Sequence, residues 1–266
     1  MSKGEIIILG CGGSGGVPLA CGHWGNCDPL NPKNRRTRSS IAIRTPKTCL
    51  VIDTGADFHN QTLINKIEKI DAVLYTHDHA DHVNGIDDVR YLAIRQRVLG
   101  DQEYMLPIYT DKETMRSIQH RFDYLFRTSP DGLYFPLLDC HTIDEGSLQI
   151  GDINMDLFYQ IHGRGKSFGI KIDDVGYSTD VSDFEKEKLL WLKGIKTWIV
   201  DCGQFGSDSQ HLTVHPNLER VLEWNDIVQA EKLYLTHLTP RNDYDVINET
   251  TPDYVEAAYD GLKIKF

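Results

Sequence analysis

Nowhere does this sequence approach the roughly 18 consecutive apolar residues that a membrane-spanning helix needs. Its first apolar run, Ile6 to Leu9, is also too short for a secretory signal, so a cytoplasmic protein is the expectation. A disulfide framework is missing as well. Cys11, Cys21, Cys27, Cys49, Cys140 and Cys202 are scattered without dense spacing, and reduced thiols are expected. Nor is there a surplus of positive charge. Lys and Arg number 28 against 39 Asp and Glu, and the formal net charge of −11 repels long polyanions such as duplex nucleic acid. Small anions stay open to the chain, because a bound cation would set the local field. Low-complexity linkers and short repeats are absent too. The 266 residues, 40% hydrophobic and 25% charged, are enough for a sizeable core. One domain spanning residues 1–266 is expected.

What is present is an alternation of strands and helices. Ile6–Leu9 reads as a buried strand ended by GCGGSGG. Ser40–Thr45 and Cys49–Asp53 read as a hairpin. The following stretch looks helical, with Ile64, Ile67 and Ile70 at helical spacing. Ala72–Tyr75 is the next buried strand. Helices are expected over IDDVRYLAIRQRVLG and over DKETMRSIQHRFDYLF, where Asp111 is a candidate N-cap. Pro107–Thr110 lies between them as a short strand. Further strands fall at Asn154–Ile161, Phe168–Ile172, Val175–Ser178, Thr197–Asp201 and Lys232–Leu235, with helices at Ser182–Leu192 and Pro216–Trp224. The mixture favours stacked sheets covered by helices, an α/β (α+β) class.

The stretch LYTHDHADH, residues 74–82, places His77, His79, Asp81 and His82 within six positions directly after a buried strand. On extended chain His77 and His79 face the same way, and Asp81 and His82 follow on a turn. Such groups are not crowded together for packing. Two histidines can serve one metal ion while Asp81 and His82 serve a second. Each ion needs about four to six donors, so the remainder must come from elsewhere in the chain.

THDHADH resembles the HxHxDH signature of the metallo-β-lactamase superfamily. The later ligands of that family find matches in order: His162 in FYQIHG, Asp180 in VGYSTDVS and His237 in LYLTHL. The resemblance implies an αββα sandwich, two mixed sheets flanked by helices, with two divalent metal ions at the sheet edges. Carried over, His77, His79 and His162 would bind one ion, Asp81, His82 and His237 the other, and Asp180 would bridge them. Zinc is the expected metal, with manganese or iron as alternatives, because His and Asp suit all three. Two such cations acidify a water held between them, which implies hydrolysis. Asp53, in VIDTG, matches the family's acidic residue behind the metal loop, where it would support a ligand or the loop backbone. A turn or cap aspartate is the plainer alternative.

The likeness extends to ILGCGGSGGVP, NPKNRRTRSS, YTHDHADHVNGIDDVR and AAYDGLKIKF. These are similar to the branch holding the phosphoribosyl cyclic phosphate phosphodiesterases, with ribonuclease Z-type nucleases more distant. The implied function is hydrolysis of small cyclic or nucleotide-like phosphodiesters, with a small anionic substrate as partner. A thioesterase or lactonase using the same site is the alternative. A tRNA 3′-processing nuclease is a further one, although no lysine- or glycine-rich arm is visible to grip RNA. A homodimer and a monomer both stay open.

Asp81, Asp180 and His215 are the candidate catalytic residues. His215 precedes PNLERVLEW and lies 22 residues before His237, which resembles the placement of the family's catalytic histidine. An imidazolium there would protonate a leaving alkoxide. His211 is its rival, and either is otherwise a surface histidine. The segment ACGHWGNCDP departs from the characterised cyclic phosphodiesterases, which carry a closely spaced cysteine trio for a structural zinc. Cys21, His23 and Cys27 keep metal-capable groups at altered spacing. A metal-free loop folded over the active site, anchored by Trp24, is the favoured reading. GCGGSGG lacks the Lys-Ser/Thr ending of a phosphate-binding loop and reads as a tight turn near the site. The basic run Lys33 to Arg38 reads as a solvated or salt-bridged loop rather than a phosphate contact.

Overall fold

A computed structural model describes residues 3–206 and 214–266. Two seven-stranded sheets lie face to face and carry helices on their outer faces. The first sheet contains β1 (Glu5–Gly10), β2 (Ser40–Arg44), β3 (Cys49–Ile52), β4 (Ala72–Leu74), β5 (Leu106–Thr110) and β6 (Leu138–Thr142). The second contains β7 (Gly146–Ile150), β8 (Ile153–His162), β9 (Gly165–Ile172), β10 (Val175–Ser178), β11 (Thr197–Asp201), β12 (Lys232–Thr236) and β13 (Val255–Ala257). The last strand, β14 (Lys263–Lys265), returns to the first sheet beside β1. This is the αββα sandwich expected from the sequence.

The central strands are apolar runs because both of their faces are covered. Ile6 and Ile8 of β1 point between the sheets with Leu50 and Ile52 of β3, against Leu157, Phe168, Ile170 and Tyr177 of the second sheet. Their neighbours Ile7, Leu9 and Val51 point outward, into a core shared with Phe58, Val89 and Ile118. That outer core is closed by α1 (Phe58–Ile64), α3 (Ile86–Val98) and α4 (Lys112–Arg121). On the other side Leu189, Val221, Trp224 and Ile247, from α5 (Lys186–Trp191), α6 (Leu218–Val228) and α7 (Tyr244–Thr250), cover the second sheet. Among the described residues, no helix is long and apolar enough to cross a membrane.

One expected helix is shorter than its sequence pattern. The chain leaves α1 at Asn65, and Lys66 takes a left-handed φ of 53°. Ile64 is consequently 73% exposed, while Ile67 and Ile70 return to the core from a loop. Their spacing is helical by coincidence, since a left-handed residue ends the ladder between them.

The two sheets share one topology. From the β14 edge, three antiparallel pairings lead to β3, and three parallel ones follow to β6. From the β7 edge, three antiparallel pairings lead to β10, and three parallel ones follow to β13. Strands β3, β4 and β5 thus correspond to β10, β11 and β12. No fixed period in the sequence marks this duplication, but it decides where the chemistry sits.

Candidate metal centre

Ligands of open α/β sheets bind outside the carboxyl ends of parallel strands. Here two sets of such ends contribute. Asp53 follows β3, the Thr76–His82 segment follows β4, Asp180 follows β10, Asp201 ends β11 and His237 follows β12. Asp53, Asp180 and His237 hold left-handed φ values of 63°, 51° and 56°. Such conformations cost on the order of 1–3 kcal/mol each and collect at functional sites. A short helix, α2 (Ala80–Val83), occupies the second half of the histidine motif where a turn was expected. It turns Asp81 and His82 away from the line of His77 and His79.

The structure brings all seven predicted ligands together in two groups. His77, His79, His162 and Asp180 form one, and Asp81, His82, Asp180 and His237 the other, each with ligand-capable atoms within 4.8 Å of one another. Asp180 belongs to both. Its Oδ1 lies 3.3 Å from His237 Nε2 and 3.6 Å from His162 Nε2, and its Oδ2 lies 3.0 Å from His82 Nε2. The donor set fits divalent cations on a further count. His77 Nε2, His82 Nε2, His162 Nδ1 and both ring nitrogens of His237 are buried without a hydrogen-bond partner. Buried polar nitrogens are rarely left orphaned, and the Nε2 atoms of His77, His82 and His237, gathered around Asp180, call for a ligand.

The supporting hydrogen bonds fix which nitrogen is available. Asp53 is fully buried and accepts from Thr76 N–H (2.8 Å), Thr76 Oγ1 (2.8 Å) and His82 Nδ1 (2.7 Å). The Thr76 hydroxyl has one proton and gives it to Asp53. Its 3.0 Å contact with His77 Nδ1 therefore requires the imidazole to donate. His77 and His82 both spend Nδ1 on this support and present Nε2 to the site. Asp53 thus holds both the loop backbone at Thr76 and the predicted ligand His82. Asp180 is held from the opposite sheet, where Thr179 Oγ1 donates to its Oδ2 and Ser167 Oγ to its carbonyl, each at 2.8 Å.

The electrostatics follow from crowding these groups in a dry place. Burial pushes His77 well below the usual imidazole range, aided by the neighbouring His82. Burial lowers His162 too. Burial also opposes a proton on His82, but Asp180 and Asp53 outweigh it and raise His82 well above its ordinary value. For His237, burial is again outweighed by Asp180 and Asp201, and its pKa is pushed up to about 9. Burial would raise Asp180, yet His237 and His82 hold it well below the carboxylate range. Without a cation, protons take the cation's place.

His215 Nδ1 lies 2.7 Å from Asp201 Oδ2 in a third group, with its ring stacked on His237 at 4.2 Å. Asp201 is held in turn by the Val181 and Gly203 N–H groups. The rival His211 lies outside the described residues. Asp201 was not singled out from sequence, although a signal existed. WIVDCG repeats the form of LVIDTG, a buried strand ending in Asp-x-Gly. A cleft of about 930 Å³ opens over the site, lined by the predicted ligands other than His82 and by Ser14, Asp78, Asp111, Glu113, Arg164 and Lys166.

The less legible segments pack around this centre. Gly12 and Gly13 give their N–H groups to the carbonyls of Thr37 and Leu238, so neither offers a phosphate cradle. A Cβ at Gly13 would lie 3.2 Å from His237, which explains the glycine. Cys27 is buried with its thiol toward the carbonyls of Thr239 and Pro240, while Cys21 and His23 are exposed. Among the described residues these three form no ligand group. The loop is tied down by Arg36, 1% exposed, which donates to Asn242 O (2.6 Å) and Asn34 Oδ1 (3.1 Å). Asn34 in turn donates to Asp243 Oδ2 at 2.6 Å. Trp24 instead carries Arg35 over its ring at 5.0 Å and does not line the cleft. Arg38 pairs with Asp57 and Lys33 donates to Tyr244, so the basic run is structural.

The sequence profile of the Beta-lactamase superfamily domain matches residues 48–238, well over half of the chain. With this fold, the chain belongs to the metallo-β-lactamase superfamily. Within the superfamily it matches the PhnP branch. The crystal structure of a diphosphatase of the PhnP family superimposes with a TM-score of 0.86 at 28% identity, covering 99% of this chain and 97% of that one. The octanoyltransferase of Porphyromonas gingivalis is 29% identical over 97% of this chain and 51% of its own length. A ribonuclease Z of Thermococcus kodakarensis is 27% identical over 70% of this chain and 50% of its own. The chain therefore spans about half the length of these curated relatives.

Proposed function

We propose that this chain hydrolyses small cyclic or nucleotide-like phosphodiesters with divalent cations held by its histidines and aspartates. The observation that carries the reading is Asp180, a single carboxylate shared by two ligand groups. When bound, two cations supply a water acidified toward neutral pH and positive charge against the phosphoryl oxygens. Zinc is the proposed metal, with manganese or iron as alternatives.

The chain's own residues supply position and a proton. Asp53 and Thr76 hold His82 and His77 with Nε2 toward the site. Asp201 accepts from His215 Nδ1, which leaves Nε2 to hand a proton to the leaving oxygen. The cleft has the size of a small-molecule site, which favours a small diester over folded RNA. The relatives named a diphosphatase and a ribonuclease carry names for phosphorus–oxygen hydrolysis, which supports the reading. The octanoyltransferase name belongs to a protein about twice as long, and it makes acyl substrates the alternative to test.

Purified protein loaded with Zn²⁺ or Mn²⁺ should cleave bis-p-nitrophenyl phosphate, and faster than a panel of thioesters and lactones. Asp180→Ala should lose at least about 100-fold of that activity. A loss below about tenfold would remove the shared-carboxylate role, and preference for thioesters would replace the reading with an acyl hydrolase.

A further inference from the structure

Arg164 lies at the turn of the β8–β9 hairpin, two residues beyond the predicted ligand His162. It lines the cleft beside His77, His79, His162 and His215. It is exposed and, among the described residues, its side chain has no hydrogen bond, ion pair or ring contact. Arg116 and Arg241 are similarly open, but neither of them lines this cleft. Arg38, Arg44, Arg90 and Arg220 all pair with carboxylates, and Arg36 is buried in its own network. An open guanidinium over the site, where carboxylates are plentiful elsewhere, is a cation left for something else.

The hairpin holds that cation in a defined place. Gly163 N–H donates to Ser182 Oγ at 3.1 Å, and Ser182 Oγ donates to Ile161 O at 3.1 Å. A Cβ on Gly163, which has a φ of 57°, would stand 3.0 Å from Val214 Cγ1. The turn therefore abuts Val214, the residue just before His215, and Arg164 follows His162 by two residues on the same hairpin. The nearby Lys166 is occupied, its Nζ 3.5 Å above the Tyr159 ring. The cleft is also lined by the acidic Asp78, Asp111 and Glu113, which repel an anion. An extended anionic substrate is thus sorted by charge toward the hairpin.

We infer that Arg164 is a specificity-determining residue that takes the second phosphate of a diphosphate diester, adjoining the phosphorus that is attacked. This rests on the phosphodiesterase reading and narrows it. The planar fork of arginine matches two phosphate oxygens at once, which a lysine does not. The cleft, at about 930 Å³, has room for the second phosphate and its substituent.

The test compares wild type, Arg164→Ala, Arg164→Lys and Arg116→Ala, the last removing an equal charge from an exposed position of α4 outside the cleft lining. Binding of α,β-methylene-ADP, which cannot be hydrolysed at its bridge, is measured by calorimetry on metal-loaded protein. Turnover of ADP-ribose and of bis-p-nitrophenyl phosphate is measured alongside. Arg164→Ala should weaken the analogue and lower kcat/KM for ADP-ribose by about 10- to 100-fold, chiefly through KM. The singly charged diester should change less than about threefold, Arg164→Lys should recover only part, and Arg116→Ala should match wild type. Equal binding of the analogue to wild type and Arg164→Ala overturns the inference. So does a loss shared equally by both substrates, or a wild type that neither binds the analogue nor cleaves ADP-ribose. A wild type that leaves bis-p-nitrophenyl phosphate intact defeats the phosphodiesterase reading instead, while the calorimetry still decides Arg164.

Discussion

Replacing Asp53 by asparagine tests the support behind the metal loop without disturbing its shape. Asparagine tolerates the left-handed φ of 63° that the position requires, so the backbone has no reason to move. What changes is one acceptor. Asp53 Oδ1 receives the Thr76 N–H, and Oδ2 receives the Thr76 hydroxyl and His82 Nδ1. If the amide oxygen stays under the Thr76 N–H, the amide nitrogen stands where Oδ2 was. The Thr76 oxygen can still accept from both the amide and His77, since it has two lone pairs. His82 has no such freedom. Its Nδ1 now meets a donor, so it must accept there and carry its proton on Nε2. That nitrogen is the one facing Asp180 at 3.0 Å, and a protonated nitrogen cannot ligate.

The expected consequence is a selective weakening of the Asp81–His82–His237 group. Loss of such an outer hydrogen bond costs about 10- to 100-fold in metal affinity, or about 1.4–2.7 kcal/mol. The His77–His79–His162 group should stay within about threefold of wild type, because its own support survives. Competition between the protein and a chromophoric zinc chelator resolves the two steps. Two affinities that are both unchanged, or both lost to the same degree, would refute the reasoning.

Metal loading should release protons. In the metal-free protein His237 holds its proton up to about pH 9, so at pH 7 an incoming cation must displace it. Indicator dye in weak buffer should register at least one proton per protein, and metal affinity should rise roughly tenfold per pH unit toward pH 9. The same raised value stabilises the metal-free fold below about pH 6.5, an increment lost as pH climbs through about 9. For the proton donor, Asp201→Asn should slow a cyclic ribose phosphate, which leaves as an alkoxide, by about tenfold or more. Bis-p-nitrophenyl phosphate, whose leaving group needs no proton, should respond much less. Equal slowing of both would point to a structural role for Asp201 in holding the Val181 and Gly203 backbone.

The strands missing from the sequence reading are β6, β7, β13 and β14, and these are the four edges of the two sheets. The reason is physical. A central strand such as β1 is covered on both faces and reads as an apolar run. LDCHT, GSLQI, VEA and KIK are short or half-exposed, and they carry polar residues that blunt a free edge. Helix α7 escaped for a related reason, with Ile247 as its single buried residue.

By itself the sequence determined the centre of the molecule. The crowded His77–His82 segment was legible as a local signal, whereas His162, Asp180 and His237 were legible only through the family resemblance, because a lone His or Asp after a strand is usually just a polar residue. Three things waited for the tertiary structure: the distances that put Asp180 within reach of both ligand groups, the pairing of Asp201 with His215, and the exposure of Arg164 over the cleft. Each depends on which strand ends meet across the sandwich, and that follows from the matching topologies of the two sheets. A side chain's type is written in one residue; its partners depend on where distant segments of chain come to rest.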